Sequence, residues 1–205
     1  MANSIAFNPM QTTTNYGGFS TQSNGLVQGV AMDDPAVRFA LAGGVLATDE
    51  TLPMWGGVGI YADIPTANAT ELGTVVGRAT SLTAYAAKQM VGFSVVNQAT
   101  AWLTTPQSPA PTASGGMTVP YFLFGSGARI AVDCDSTLAA ALISGTIVPE
   151  VFWDFTNQQL VSTGTDALPV KVLRVQIGNS KIVSWDGTAL AATWNNSGTA
   201  ALIQI

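Results

Sequence analysis

Apolar residues fall along this chain in two regimes, a first stretch without period and a body of short alternating runs. Over 1–32 the apolar side chains Ile5, Phe7, Tyr16, Phe19, Leu26 and Val27 stand apart among Asn, Gln, Ser, Thr and Gly, with neither helical spacing nor sustained alternation. Such a stretch cannot offset its own ordering entropy. Its spaced aromatics suit an arm that orders by lying across a neighbouring subunit and adding backbone hydrogen bonds to it. The pattern therefore predicts an extended N-terminal arm over 1–32 and a β-rich body over 33–205.

The body opens with a predicted short helix. Asp33 or Asp34 caps it, Pro35 takes a first-turn position, Val37 and Leu41 recur at helical spacing, and Gly43-Gly44 ends it. Loops and short strands follow over 49–73. Thr74–Thr80, Met90–Asn97 and Ala99–Thr105 read as strands, with a helical period between the first two over Ser81–Gln89. The Pro- and Gly-rich stretch Pro106–Gly116 predicts an exposed excursion. Met117–Phe124 and Ala128–Val132 read as strands joined in hairpin style by Gly125-Ser126-Gly127, and Thr137–Ile143 as one or two helical turns.

Alternation is clearest near the end of the chain. Val151, Trp153 and Phe155 share a face, as do Leu173, Val175 and Ile177, with turns expected at Asn157-Gln158, Gly178-Asn179-Ser180, Asp186-Gly187 and Asn195–Gly198. The final Leu202–Ile205 reads as a paired, buried strand. The fold class is mainly β: an antiparallel sandwich, jelly roll or barrel with one to three short helices and the extended arm.

Charge changes the picture from fold to function. Of 205 residues only 9% are charged, against 47% hydrophobic, and the seven cations, from Arg38 to Lys181, form no cluster. An ordinary soluble protein carries about 25% charged residues, so this surface suits contact. No basic stripe means no nucleic-acid footprint. The apolar runs are too short to span a bilayer, and Met1–Ile5 lacks the pattern of a secretory signal, so a soluble protein made in a cytoplasm is expected. A mean hydropathy of +0.32 then calls for another outlet for apolar surface, namely a partner or self-assembly.

The same composition removes most catalysis. There is no His, hence no imidazole base, triad or imidazole metal ligand, and the single Cys134 gives neither an intrachain disulfide nor a thiolate cluster. Three carboxylate pairs remain: Asp33 with Asp34, Asp49 with Glu50, and Asp133 with Asp135. Only the last would lie side by side on a strand. It reads first as a helix cap or solvated turn, then as a weak Ca²⁺ match, and last as an acid/base pair for glycan hydrolysis. Gly56-Gly57-Val58-Gly59 lacks the spacing of a phosphate loop. Trp55, Trp102, Trp153, Trp185 and Trp194 read as core before they read as a sugar-stacking platform. No catalytic residue, metal site or cofactor is expected.

The uncharged Phe7-Asn8-Pro9-Met10 arm, the Gly-, Ala- and Thr-rich β body, and Asp135–Ala140 through Val151–Leu160 resemble structural proteins of tailed-bacteriophage heads, in particular the capsid decoration or cement proteins. The resemblance implies a β-rich body on the outer surface of an icosahedral shell. It further implies synthesis in the bacterial host cytoplasm and assembly as a symmetric oligomer such as a trimer. Its partners would be the major capsid protein, whose neighbouring subunits it clamps after expansion, and copies of itself. The arm residues Ile5, Phe7, Tyr16, Phe19, Leu26 and Val27 are then the expected capsid or subunit contacts. The alternative is a carbohydrate-binding receptor module of a phage tail or spike.

Overall fold

The computed structural model describes residues 25–31, 37–63, 73–96 and 110–205. They are mainly β. Five strands, β1 (Ala42–Leu46), β2 (Gly59–Asp63), β3 (Val75–Arg78), β4 (Gly92–Ser94) and β5 (Thr118–Leu123), close into a small barrel in the order β1-β3-β2-β4-β5. All its pairings are antiparallel except β1 with β3. Leu46, Ile60, Val76, Val119 and Tyr121, joined by Met54 and Val58, form the apolar cluster of the barrel.

Alternation along β5 sends Tyr121 into that cluster and its neighbour Phe122 into a second one. This second, larger core lies between the barrel wall and the rest of the chain. The rest comprises β6 (Arg129–Asp133), the helix α1 (Ser136–Ile143), the hairpin β7 (Phe152–Asp154) with β8 (Gln159–Val161), and the long strands β9 (Lys171–Asp186) and β10 (Ala191–Gln204). β6, β10 and β9 form a three-stranded sheet in that order. Phe93 of β4 meets Trp153 of β7 edge to face, with ring centroids 5.0 Å apart. Gln158, in the left-handed region at φ 57°, turns its side chain inward, where Oε1 accepts from the Gly59 amide at 3.1 Å and from Trp153 Nε1 at 3.3 Å. One buried amide thus ties the β7–β8 hairpin to the barrel.

Several sequence expectations are corrected. The helix expected from Pro35 to Gly43 is a single 3-10 turn, Val37–Ala40, and Gly43-Gly44 lie inside β1. Gly44 is there because of a close approach: a Cβ would stand 2.5 Å from Val76 Cγ1 on the paired strand. The helical period over Ser81–Gln89 forms no helix, since Tyr85 (φ 64°) and Lys88 (φ 56°) are left-handed and Ser81 bridges Gln89. Gly125-Ser126-Gly127 does not close a hairpin, because β5 pairs with β1 and β4 while β6 pairs with β10.

The expected turns at Gly178–Ser180 and Asn195–Gly198 are instead irregularities inside one long hairpin. Asn195 pairs with Ile182, Gly198 with Ser180 and Ala200 with Gln176, so β10 carries one extra residue and β9 then carries two. The described part of the Pro/Gly stretch is also partly internal: Ala110 is buried and Ala113 bridges Met54. Ala99–Thr105 and Trp102 lie outside the described residues. The turns at Asn157-Gln158 and Asp186-Gly187, the helix near Thr137–Ile143 and the buried C-terminal strand stand as expected.

Candidate functional site

Ile5, Phe7, Tyr16 and Phe19 lie outside the described residues. Of the two described positions expected to touch a neighbouring subunit, Leu26 is instead buried in the chain's own fold, while Val27 bridges Lys181 through its backbone and keeps its side chain half-exposed. Residues 25–31 form a strap across the open side of the β6-β10-β9 sheet. The Gln28 amide donates to the Lys181 carbonyl and the Lys181 amide to the Leu26 carbonyl, both at 2.8 Å, which secures the strap to β9. The Gly29 amide donates to Ala131 O at 2.7 Å, and Ala131 donates back to Val30 O at 3.1 Å, which secures it to β6.

Leu26 is 1% exposed and fills the space against Ala131 and Ala200. The Gln28 side chain is also buried, and its Oε1 accepts from the Val183 amide at 2.7 Å. Gly29 (φ 80°) crosses the Gly56-Gly57 turn so closely that a Cβ would fall 2.4 Å from Gly56 Cα. Those glycines, which the sequence marks as a turn or a close backbone approach, serve this crossing. The strap is therefore fixed beside Lys181 at the start of the described residues.

A second feature was not singled out by sequence reasoning. α1 is capped by Asp135, whose Oδ2 accepts from Thr137 N at 2.9 Å and Leu138 N at 3.2 Å. Its inner side buries Leu138 and Ala139. Its outer side is uncharged and mixes exposed Ser136 and Thr137 with apolar groups: Ala140 is exposed, Ile143 is 59% exposed, and Ile147 just past the helix is 90% exposed. The exposed Ile143 and Ile147 leave apolar area open to solvent that a helix face normally buries. The signal was present as i, i+3, i+7 spacing within residues 136–149, which contain no charged side chain.

The tryptophans separate. Trp153 is core. Trp55, Trp185 and Trp194 gather at the distal half of the β9–β10 hairpin, where Val183, Trp185, Ala192 and Trp194 share one face and Ser184 and Thr193 the other. Trp55 stacks on Trp185 at 6.3 Å and carries the Arg78 guanidinium 4.3 Å from its ring centroid. Lys181 Nζ stands 5.8 Å from the Trp194 centroid. These rings are thus largely engaged within the molecule.

The carboxylate pairs also separate. Asp33 and Asp34 lie outside the described residues. Glu50 Oε1 accepts from the Arg78 amide at 3.2 Å and pairs with Lys88 Nζ at 3.8 Å. Asp133 ends β6 and accepts from the Cys134 amide at 2.8 Å. Burial pushes its carboxyl up to about 6, with the nearby Asp135 charge adding to the rise and the Cys134 amide opposing it. Burial, with the Asp133 and Asp135 charges adding to it, also pushes the Cys134 thiol up to about 12, which leaves it a protonated core group at neutral pH. Among the described residues no three His, Cys, Asp or Glu side chains gather to hold a metal ion, and no helix is long and apolar enough to cross a membrane.

The described geometry thus offers exposed apolar contact area and an anchored strap. Comparison of the chain with protein-family models, with curated proteins and with solved structures finds no match, so the functional reading rests on this chain's own residues.

Proposed function

We propose that this protein is a structural component of a virion. In this reading it is a capsid decoration or cement protein that binds and stabilises the major capsid lattice from the outer surface, as a symmetric oligomer such as a trimer. The observation that carries the reading is the outward apolar side of α1, Ala140 and Ile143 continued by Ile147, set in an uncharged stretch. Burying such a surface against another protein releases water from apolar area and desolvates no charge. In a monomer the same residues would remain a standing cost in water.

The arm supplies the second contact. Leu26 belongs to the fold, so engagement of a neighbour falls to Ile5, Phe7, Tyr16 and Phe19 together with the half-exposed Val27. Made in the host cytoplasm, the chain joins the shell after expansion, and the arm threads onto the lattice or an adjacent copy. Deleting residues 1–24 leaves the strap intact and is expected to lower occupancy on expanded capsid shells without lowering the thermal midpoint of the body. Undiminished occupancy would remove the arm from the proposal.

A further inference from the structure

A groove of about 400 Å³ opens between the Thr80–Thr83 turn and the β7–β8 hairpin with its following loop. That volume falls within the usual range of ligand sites, roughly 300 to 1,000 Å³. The rim is held together rather than merely adjacent: Thr83 Oγ1 donates to Asp166 Oδ2 at 3.1 Å across 83 residues of chain. Gly164 makes this approach possible, because a Cβ there would fall 2.6 Å from Phe152 Cβ. A larger residue would lift the loop and withdraw Asp166 from Thr83.

The lining has a definite chemistry. Asp154 is occupied by its own turn, accepting from Thr156 N at 2.8 Å, Asn157 N at 3.1 Å and Asn157 Nδ2 at 2.7 Å. Asp166 is exposed and accepts the single Thr83 bond, which leaves acceptor capacity free. Thr156 and Thr165 add hydroxyls that both donate and accept, and the half-buried Phe155 adds an aromatic surface. Among the described residues no Lys or Arg lines the groove. Two carboxylates without a cation repel phosphate, sulfate and carboxylate ligands, while hydroxyl groups, a carboxylate acceptor and an aromatic side match the polar edges and C–H faces of a sugar ring.

We propose that this groove is a binding site for saccharides that carry no anionic group. The proposal does not depend on the assembly reading, since the groove is built by residues outside α1, the strap and the arm. It places the carbohydrate-binding alternative at Thr83 and Asp166 rather than at the tryptophans.

The test is amide-resolved NMR titration of the full chain with three probes: maltotriose, the protonated glucosamine trimer and sialyllactose. The expected result is saturable shifts at Ser81–Thr83, Phe155–Thr156 and Thr165–Asp166 with maltotriose or the glucosamine trimer, and none with sialyllactose. Asp166→Asn, which keeps an oxygen for Thr83, is expected to weaken binding about tenfold. The exposed Glu150→Gln is expected to leave binding unchanged, with thermal melts confirming that both variants fold. The proposal is overturned by silence with both non-anionic sugars, by shifts confined to other residues, by equal response to sialyllactose, or by full affinity in Asp166→Asn. Binding of a lysine-rich peptide in the groove, with both sugars silent, would overturn it in favour of a peptide site.

Discussion

Gln28 Oε1 accepts the Val183 amide at 2.7 Å with the glutamine side chain almost fully enclosed. This bond links the strap to β9 across 155 residues of sequence, so it reports on the anchoring of everything N-terminal to it. Gln28→Leu removes the acceptor and leaves a buried amide unpaired. A loss of about 1 to 3 kcal/mol in urea unfolding is expected.

Gly29 and Gly56 cross at a distance no side chain tolerates. In Gly29→Ala, a Cβ must also adopt φ 80° and stand 2.9 Å from Val96 Cγ2. Overpacking and left-handed strain add, so a destabilisation of about 3 kcal/mol is expected by chemical denaturation. Gly116 also has positive φ but meets nothing within 4 Å, so Gly116→Ala should lose only about 1 to 2 kcal/mol from backbone strain.

Asp133 couples stability to pH. Its carboxyl titrates near 6 in the folded protein and near its ordinary 3.8 when unfolded, so between these values the folded state binds more protons. Stability therefore falls as pH rises from about 4 through 6, by an amount on the order of 2 kcal/mol, and stays lower above. Asp133→Asn keeps an oxygen for the Cys134 amide and should flatten that segment of the profile while raising stability at pH 7. Denaturation midpoints from pH 4 to 8 for the two proteins give the comparison.

Cys134 should behave as a core residue. With its thiol pushed up to about 12 and its side chain buried, a thiol reagent at pH 8 is expected to label it only as fast as the protein unfolds. Rapid stoichiometric labelling of the native chain would place Cys134 at the surface.

What could be read from the sequence follows from where the deciding forces are local. β3, β5 and β6 are legible because short runs of β-branched and aromatic residues mark them, and Asp135 is legible as a cap because capping needs only the next three residues. Gly178-Asn179-Ser180 has turn composition, yet Ser180 pairs with Gly198 and Lys181 is bonded to the strap, so distant partners hold the chain extended. Gly43-Gly44 reads as a helix stop for the same kind of reason: at Gly44 the need for glycine arises from Val76 on another strand. The strap shows no periodicity because its order comes from the edges of β6 and β9, so Leu26 read as an outward contact. Thr83 and Asp166 could not have been joined from sequence, since only the fold brings them together.

The proposed role requires that the exposed apolar row Ala140, Ile143 and Ile147 be covered by other subunits. Its most direct test is the occupancy of Ile143→Lys/Ile147→Lys on expanded capsid shells, measured by cosedimentation beside the unaltered protein. Both positions are exposed, so the thermal midpoint should hold within about 0.5 kcal/mol of stability, while two desolvated lysines should reduce binding at least about tenfold. Full occupancy by the doubly charged variant would contradict the account.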